Sequence, residues 1–256
     1  MMIKPASANQ IKRWKKLAMS KYRKRENRFI AEGQRCVEQI LDNQIIQIEA
    51  ILLLEGSGDE ALIRQTDIPI LSLSENDFID VTDTQNPQGI AAVCITPEES
   101  DSDTFSRTEG IIVALDAIQD PGNLGTIIRT ASWFGVSGLL IGEGTVDPFH
   151  PKVVRSTAGS TGTIPYLKGK LSEEITNLES AGFKCSLLDA STESVPLKTY
   201  KPEPKSILVA GNEANGIDQK LFSDNRTSIR IDGSGQNVES LNAAIAVSIA
   251  LWHFYS

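Results

Sequence analysis

Short apolar runs alternate with helical patterns over the second half of the chain. Strand-like segments are GIIVALD, SGLLIGE, IPYL, FKCSLLD, SILVAG and TSIRI, and helix-like segments are NLGTIIRTASWFG, PKVVRSTAG, LSEEITNLESAG and SLNAAIAVSIALWHF. This alternation predicts an α/β fold with a mostly parallel sheet covered on both faces. Ligands bind such sheets at the carboxyl ends of the strands, so the residues after GIIVALD, SILVAG and TSIRI are the candidates for a site.

The first part of the chain shows a similar alternation on a smaller scale. A helix near residues 8–20 precedes the strand FIAEG, the helix QRCVEQILDN, the strand IEAILLLE, the short helix DEALIRQT and the strands IPILSL and GIAAVCI. The acidic, Ser/Thr-rich stretch PEESDSDTFSRTEG that follows is typical of an exposed linker. We therefore expect a small α/β domain over residues 1–97, a linker over 98–109 and a second domain over 110–256.

Composition excludes several classes of function. The chain is 40% hydrophobic and 23% charged, as globular proteins are. Its longest apolar run, AAIAVSIALW, is shorter than the ~20 residues of a membrane helix, and no secretory leader is evident. Cys36, Cys94 and Cys185 lie far apart, and there are two histidines, which argues against a metal site or Ser-His-Asp chemistry. These features predict a reduced, cytoplasmic, metal-free protein.

Positive charge is concentrated at the start of the chain. Residues 1–35 hold eleven Lys and Arg against two Glu, a local charge of +9 in a chain of net charge −8. Trp14 and Tyr22 lie within this cluster, which suits phosphate contacts and base stacking. An amphipathic helix with solvated lysines explains the pattern equally well. The candidate RNA contacts are Lys12, Arg13, Lys15, Lys16, Lys21, Arg23, Lys24, Arg25 and Arg28.

The first strand end carries QDPGNLGTIIRT. Asn123 is suited to cap the following helix, and Gly125 in its first turn costs about 1 kcal/mol relative to Ala. Helical periodicity places Arg129 with Thr126 and Thr130 on the polar side, so periodicity alone favours a surface arginine.

The second strand end carries GNEANGI, in which two glycines bracket Glu213. Taken alone, it reads best as a strand-to-helix turn with Glu213 at a helix N-terminus. At the third strand end, Ser240 can cap a helix that is apolar nearly all round, as buried helices are. Asn242 in its first turn needs partners, structural or functional, because an unsatisfied buried group costs ~1–3 kcal/mol. GSGQNV lacks the last glycine of the dinucleotide pattern, and no P-loop is present.

Together the three strand ends resemble the signature motifs of the SPOUT methyltransferase superfamily, in its SpoU/TrmH branch of RNA ribose 2′-O-methyltransferases. The matching patterns are Asn123-x-Gly125-x-x-x-Arg129, Gly211-x-Glu213-x-x-Gly216 and Ser240-Leu241-Asn242. PKVVRSTAGS is similar to a further segment of that branch. KYRKRENRFIAEGQRCVEQIL and TDTQNPQGIAAV look like its N-terminal substrate-binding domain, which has a ribosomal-protein-like fold.

This resemblance implies a C-terminal trefoil knot, S-adenosylmethionine as cofactor and a homodimer whose active sites are completed near the interface. It assigns catalysis to Arg129, Asn123, Glu213, Ser240 and Asn242, and the cofactor pocket to Leu208, Ala210, Gly211, Ile229, Ile231, Ser240 and Leu241. It adds Lys152 and Arg155 to the candidate RNA contacts.

The first domain favours ribosomal RNA over transfer RNA as the substrate. A non-catalytic RNA-binding protein and a base methyltransferase are the rival interpretations. Two features depart from the family pattern: Ile229-Arg230-Ile231 stands where Ile-Pro and an apolar residue are usual, and the loop GSGQNVE is longer.

Overall fold

The computed structural model describes residues 3–57, 67–234 and 240–256. Contacts divide the chain into two compact units, one of Met1–Pro97 with Asp147–Thr163 and one of Glu98–Val146 with Ile164–Ser256. The helix expected over DEALIRQT and most of the loop GSGQNVE lie outside the described residues.

The first unit is built on a mixed sheet. Its described strands are β1 (Lys4–Pro5), β2 (Arg28–Glu32), β3 (Ile48–Leu54), β4 (Ile70–Leu73) and β5 (Ile90–Ile95), in the order β1-β4-β3-β5-β2. β5 runs antiparallel to β2 and β3, whereas β4 is parallel to β3 and β1. The helices are α1 (Ala8–Trp14), a 3₁₀ turn (Lys15–Ala18), α2 (Ser20–Glu26), α3 (Gln34–Asn43), α4 (Glu75–Thr82) and α7 (Pro151–Thr157).

The basic helical region contributes to the core of this unit. The single helix expected near residues 8–20 is divided into α1 and the 3₁₀ turn, and Trp14 is only 1% exposed among Leu17, Ile30 and Phe78. The expectation that Trp14 stacks on bases is therefore wrong, because its indole is enclosed by apolar side chains.

Residues 147–163 pack with the first unit, although the sequence placed them in the domain 110–256. Arg23 donates to Asp147 Oδ2 from Nη2 at 2.6 Å and from Nε at 3.0 Å, and Arg155 Nη1 lies 2.7 Å from Glu32 Oε2. A Cβ on Gly159 would lie 2.3 Å from Gln39 Cβ, so this glycine is required for close packing on α3.

The second unit contains a parallel sheet. Within its described residues the strands are β6 (Gly110–Leu115), β7 (Gly138–Gly142), β8 (Tyr166–Gly169), β9 (Lys184–Leu188), β10 (Val195–Pro196), β11 (Lys205–Ala210) and β12 (Thr227–Arg230). Their order is β10-β12-β9-β11-β6-β7-β8, and every pairing is parallel. The helices are α5 (Ser102–Arg107), α6 (Pro121–Trp133), α8 (Leu171–Ser180) and α9 (Ala243–Tyr255), with 3₁₀ turns at Leu197–Thr199 and Gln219–Leu221. The predicted mostly parallel α/β fold is confirmed.

Two expectations for this unit are wrong. The expected linker contains α5, and its single large apolar residue, Phe105, is buried in the core beside Ile112 and Leu140. The terminal helix α9 is not buried all round, since Ile245, Ile249 and Trp252 are among its exposed side chains. No helix within the described ranges has the length and apolar character to cross a membrane.

Candidate active site

The first strand end leads directly into α6, and Asp120 rather than Asn123 caps that helix. Asp120 Oδ1 accepts the Asn123 N–H at 2.8 Å, and Pro121 occupies the first helical turn. Aspartate caps as well as asparagine does, and proline suits the first position because no N–H bond is lost there. The expected cap is therefore wrong by three residues, and the Asn123 amide is left to make other bonds.

That amide joins the three strand ends. Asn123 Nδ2 donates to Glu213 Oε1 at 2.6 Å, and Asn242 Nδ2 donates to Asn123 Oδ1 at 2.9 Å. The Asn123 amide is thus bonded at both of its polar atoms. Its nitrogen donates to Glu213 of the second motif, and its oxygen accepts from Asn242 of the third motif. Side chains separated by 90 and 119 positions in sequence meet at one point.

The loop that carries Glu213 is closed on itself. Asn212 and Gly216 exchange two backbone hydrogen bonds, of 3.0 and 2.9 Å, and Asn212 Oδ1 accepts the Ala214 N–H at 2.9 Å. Asn212 Nδ2 donates to Ala117 O at 2.8 Å, which ties this loop to the first strand end. No α-helix follows Glu213 directly, so the helix N-terminus expected there is wrong. The sequence reasoning missed Asn212, although an asparagine between turn residues is a signal for such bonding.

Gly211 is required by the loop itself. A Cβ at this position would lie 2.4 Å from Gly216 C, Gly216 O and Ile217 N. Close approach of a ligand to the main chain is therefore not needed to explain this glycine, because the returning backbone already fills that space.

The third strand end is organised by Asn242 and not by Ser240. Asn242 caps α9, accepting the N–H groups of Ala244 at 3.0 Å and Ile245 at 3.3 Å on Oδ1. The expected cap at Ser240 is wrong, since Ser240 lies two residues before the cap. The prediction that the Asn242 side chain has hydrogen-bond partners is confirmed. Its partners are the first N–H groups of α9 and the Asn123 side chain.

The predicted cofactor residues lie along the same sheet edge. β6 and β11 end level, with Leu115 paired to Ala210, and β9 lies between β11 and β12. Leu208, Ala210 and Ile229 are buried, whereas Gly211 and Ile231 are half-buried and Leu241 is exposed. The loops 116–120 and 211–218 carry four carboxylates and no Lys or Arg, so these two loops favour a cationic ligand such as a sulfonium.

Comparison with known proteins decides the family. Residues 110–252 match the model described as the SpoU rRNA Methylase family, and residues 8–92 match an MRM3-like substrate binding domain. The chain belongs to the SpoU rRNA methylase family. It is 36% identical over 251 residues to the 23S rRNA (guanosine(2553)-2′-O)-methyltransferase RlmP of Bacillus subtilis strain 168, with 98% of each chain covered.

Solved structures agree with this assignment. An AdoMet-bound rRNA methyltransferase from Sinorhizobium meliloti is similar with a TM-score of 0.82 and 29% identity, over 98% of this chain and 96% of that one. The SpoU methyltransferase AviRb from Streptomyces viridochromogenes, in complex with AdoMet, has the same fold at 22% identity, a TM-score of 0.83 and coverage of 98% and 97%. The predicted membership of the SpoU-type RNA 2′-O-methyltransferases is confirmed.

In this SpoU methylase, Arg129 is exposed on α6, as periodicity predicts. It lies six residues after Asn123, about 9 Å along the helix axis. The described residues show no hydrogen bond between Arg129 and the Asn123–Glu213–Asn242 group. Trp133, one turn further along α6, is 84% exposed. The structure brings three of the predicted catalytic side chains together and leaves Arg129, like Ser240, outside their hydrogen-bonded group.

The predicted RNA contacts of the SpoU methylase separate into two sets. Arg23 and Arg155 are held in the ion pairs with Asp147 and Glu32, and Arg28 pairs with Glu49. Arg23 is 3% exposed and also donates to Leu17 O and Ala18 O, so it is a structural residue. The further ion pairs are Arg13 and Arg25 with Glu26, and Lys15 with Asp77 and Asp80.

The second set is open to solvent. Lys12, Lys21, Lys24 and Lys152 are exposed and make no ion pair within the described residues. Lys16 Nζ and Arg25 Cζ both lie over the Tyr22 ring, at 5.3 Å and 4.8 Å from its centroid. These cations compete with a base for the ring faces.

The described residues contain no group of three or more His, Cys, Asp or Glu side chains that could hold a metal ion. Cys36, Cys94 and Cys185 are free and buried. Burial raises the pKa of Cys36 to about 11 and that of Cys185 to about 12, and it raises the pKa of Cys94 further. The thiols are therefore protonated near neutral pH, which removes their nucleophilic form.

Proposed function

We propose that this protein methylates a ribose 2′-hydroxyl in large-subunit ribosomal RNA, with S-adenosylmethionine as the methyl donor. The observation that carries the proposal is the Glu213–Asn123–Asn242 group, which joins three motifs at the ligand-binding edge of the sheet. A binding module does not need this arrangement. The 36% identity to a 23S rRNA methyltransferase over the whole chain supports the choice of rRNA over tRNA.

The residues at this edge fit the cofactor. The ends of β11 and β12, with Leu208, Ala210, Gly211, Ile229, Ile231, Ser240 and Leu241, would hold its adenosine through apolar side chains and backbone groups. The surrounding carboxylates, including Glu213 and Asp116, favour its positive charge. When bound, S-adenosylmethionine supplies an electrophilic methyl group.

Positioning should account for most of the rate enhancement. Holding the ribose hydroxyl in line with the methyl group is worth ~7–11 kcal/mol, whereas a general base adds a factor of roughly 10²–10⁴. Asn123, Glu213 and Asn242 fix the relative positions of the three loops, so we assign them this positioning role.

We assign to Arg129 the role of binding the phosphate of the target nucleotide. A guanidinium stays protonated in proteins, which makes it a poor general base and a good bidentate partner for phosphate. Its exposure on α6 leaves it accessible to a nucleic acid. Acceptance of the hydroxyl proton by Arg129, assisted by a neighbouring phosphate, is the alternative role.

The first unit is assigned to RNA binding. Its match to an MRM3-like substrate binding domain and its exposed Lys12, Lys21, Lys24 and Lys152 support this role. The paired Arg23, Arg28 and Arg155 are assigned to the fold of the unit instead. The proposal also includes a cytoplasmic location and the C-terminal trefoil knot, a rare exception among protein topologies.

We further propose a homodimer. Ile245, Ile249 and Trp252 form an exposed apolar stripe on α9 at the i, i+4, i+7 spacing of one helix face. Trp133 and Leu241 are exposed apolar residues of the same unit. Apolar surface of this kind marks protein interfaces.

The activity can be tested with Arg129→Ala and the matched control Arg107→Ala, which removes an exposed arginine on α5. We expect Arg129→Ala to bind S-adenosylmethionine within about twofold of wild type but to transfer methyl groups at least ~100-fold more slowly. Arg107→Ala should behave as wild type. Binding is measured by calorimetry, and 2′-O-methylation is mapped in 23S rRNA and tRNA from a deletion strain carrying each variant.

Near-normal transfer by Arg129→Ala would remove this residue from the reaction. Methylation restored in tRNA alone would establish the tRNA alternative. Failure of the wild-type protein to bind S-adenosylmethionine would leave only the non-catalytic RNA-binding interpretation.

A further inference from the structure

The segment after β9 lies at the centre of the proposed cofactor edge. In the strand order β12-β9-β11, β9 separates the strand that ends before Gly211 from the strand that carries Ile229. Residues 189–194 follow β9 directly and therefore emerge between the two strand ends assigned to the cofactor. None of these residues was among the predicted site residues.

Arg230 holds this segment from the neighbouring strand. Its Nη1 donates to Thr192 O at 3.0 Å and to Ser194 O. Its Nε donates to Asp232 Oδ1 at 3.1 Å, and Asp232 Oδ2 lies 3.0 Å from Lys198 Nζ. The hydrogen bond with Lys198 lowers the pKa of Asp232, so this carboxyl is ionised and orients the guanidinium.

Further bonds keep the segment in a compact turn. Ser194 Oγ donates to Asp189 Oδ2 at 3.1 Å, and the Ser194 N–H donates to Ser191 O at 3.2 Å. The Asp189 N–H donates to Ile229 O at 2.9 Å, which fixes the start of the turn to β12. Arg230 supplies the corresponding restraint at the far end, where two turn carbonyls, those of residues 192 and 194, accept hydrogen bonds from its guanidinium.

The chemistry of Arg230 differs from that of the usual family residue. The proline common at this position stiffens its own strand but has no side-chain donor. A guanidinium presents several N–H groups in a fixed plane and can bind two carbonyls at once. In this chain the order of the 189–194 turn thus depends on a side chain of β12.

We propose that Arg230 is a positioning residue for cofactor binding, which holds residues 189–194 in the conformation that completes the pocket between β12 and β11. The inference rests on the proposed function. It concerns the affinity for cofactor and not the methyl-transfer step, because Arg230 acts through the turn and not on the reacting atoms.

The test compares Arg230→Met, which keeps the apolar stem and loses the donors, with Lys201→Met, which makes a similar change at an exposed lysine outside this group of bonds. In cofactor-free protein, we expect Arg230→Met to speed amide hydrogen exchange of residues 189–194 at least tenfold. If the ordered turn falls to about a tenth of the population, the Kd for S-adenosylmethionine rises about tenfold. KM should rise in parallel, and kcat at saturating cofactor should stay within about twofold of wild type. Lys201→Met should leave all four quantities near wild type.

Unchanged exchange in Arg230→Met would show that the guanidinium does not hold the turn, and faster exchange with wild-type affinity would show that the turn does not shape the pocket. Either result overturns the proposal. Arg230→Lys retains a donor for one carbonyl and should give intermediate exchange and affinity. If Arg230→Met fails to fold, wild-type exchange and affinity in Arg230→Lys overturn the proposal. If the wild-type protein does not bind S-adenosylmethionine, that result would instead contradict the proposed function.

Discussion

A single amide, that of Asn123, connects the three motifs of this protein. Its nitrogen faces a carboxylate and its oxygen faces an amide donor, so the side chain must present both a donor and an acceptor. Aspartate, although nearly identical in shape, supplies only acceptors when ionised. The residue is therefore sensitive to a change of one atom.

We expect Asn123→Asp to impair methyl transfer more than Asn123→Ala at pH 8. Aspartate would face Glu213 as a second carboxylate, which raises the pKa of one of the two. As the pH falls, the two carboxylates take up a shared proton, which restores a hydrogen-bond donor between them. The difference in methyl-transfer rate between Asn123→Asp and Asn123→Ala should therefore become smaller. Single-turnover methyl transfer between pH 5.5 and pH 8 measures this effect.

The control is Asn215→Asp, which adds the same charge at an exposed side chain of the loop that carries Glu213. The Asn215 backbone N–H, and not its side chain, takes part in the loop through Asn212 Oδ1. A pH-independent gap between Asn123→Asp and Asn123→Ala, or an equal loss in Asn215→Asp, would contradict the role of the Asn123 donor.

At the scale of elements, helix α7 begins with an unusual cap. His150 accepts the Lys152 N–H at 3.2 Å on Nδ1, which requires that ring nitrogen to be unprotonated. Burial lowers the pKa of His150, and the nearby Arg23 lowers it further. Asp147 and Asp83 oppose this shift, and Lys152 adds to it. The start of α7 therefore depends on a neutral imidazole.

We expect the wild-type protein to lose stability in mildly acidic solution in part through His150. A folded pKa below the unfolded value of about 6.5 gives stability that is complete above that value and is lost as the pH falls toward the folded pKa. His150→Asn keeps a capping acceptor and does not titrate, so its thermal midpoint should fall less between pH 7.5 and pH 5.5. Scanning calorimetry at the two pH values measures the difference.

His150→Ala provides the comparison. It removes both the cap and the titrating group, so it should be less stable at each pH and yet show the same flattened pH dependence as His150→Asn. If either variant keeps the full pH dependence of the wild type, the titrating group lies elsewhere.

Helix boundaries show where sequence patterns were sufficient at this scale. The periodicity of α6 places Arg129 on the polar side of the helix, and Arg129 is exposed there. The caps of α6 and α9 were each placed on the wrong residue, because several residues near each start have the required oxygen. Which oxygen binds the helix depends on the path of the preceding strand, and only the folded backbone determines that path.

At the scale of the whole molecule, the exposed face of α9 predicts self-association. We expect the wild-type protein to have twice the mass of one 27.9 kDa chain in solution. Trp252→Glu places a charge on a residue that is 62% exposed in the single chain and should convert the protein to monomers. Light scattering after size-exclusion chromatography measures the mass.

The matched control is Ile45→Glu, which places the same charge on an exposed apolar residue of the first unit. It should leave the dimer intact. A monomeric wild-type protein, or a dimer that persists in Trp252→Glu with an unchanged profile, would contradict the proposed interface.

Long-range contacts decided the division of the chain. The sequence predicted two α/β regions, and both are present, but residues 147–163 pack with the first. The ion pair of the buried Arg23 with the half-buried Asp147 spans 124 positions, so no local pattern could reveal it. The same limit made Arg23 look like an RNA contact, because composition records a charge but not its partner.

The sequence by itself determined the alternation of helices and strands, the parallel sheet and the motifs at three strand ends, because each depends on local periodicity or on residue types at short spacing. Tertiary structure alone decided that the side chain of Asn123 joins the three motifs by hydrogen bonds. It also decided that Gly211 is required by the backbone of its own loop and that Arg230 binds the turn after β9. These facts depend on which side chains converge when the strands align. Sequence spacing specifies the distance along the chain, whereas hydrogen bonding requires the distance in space.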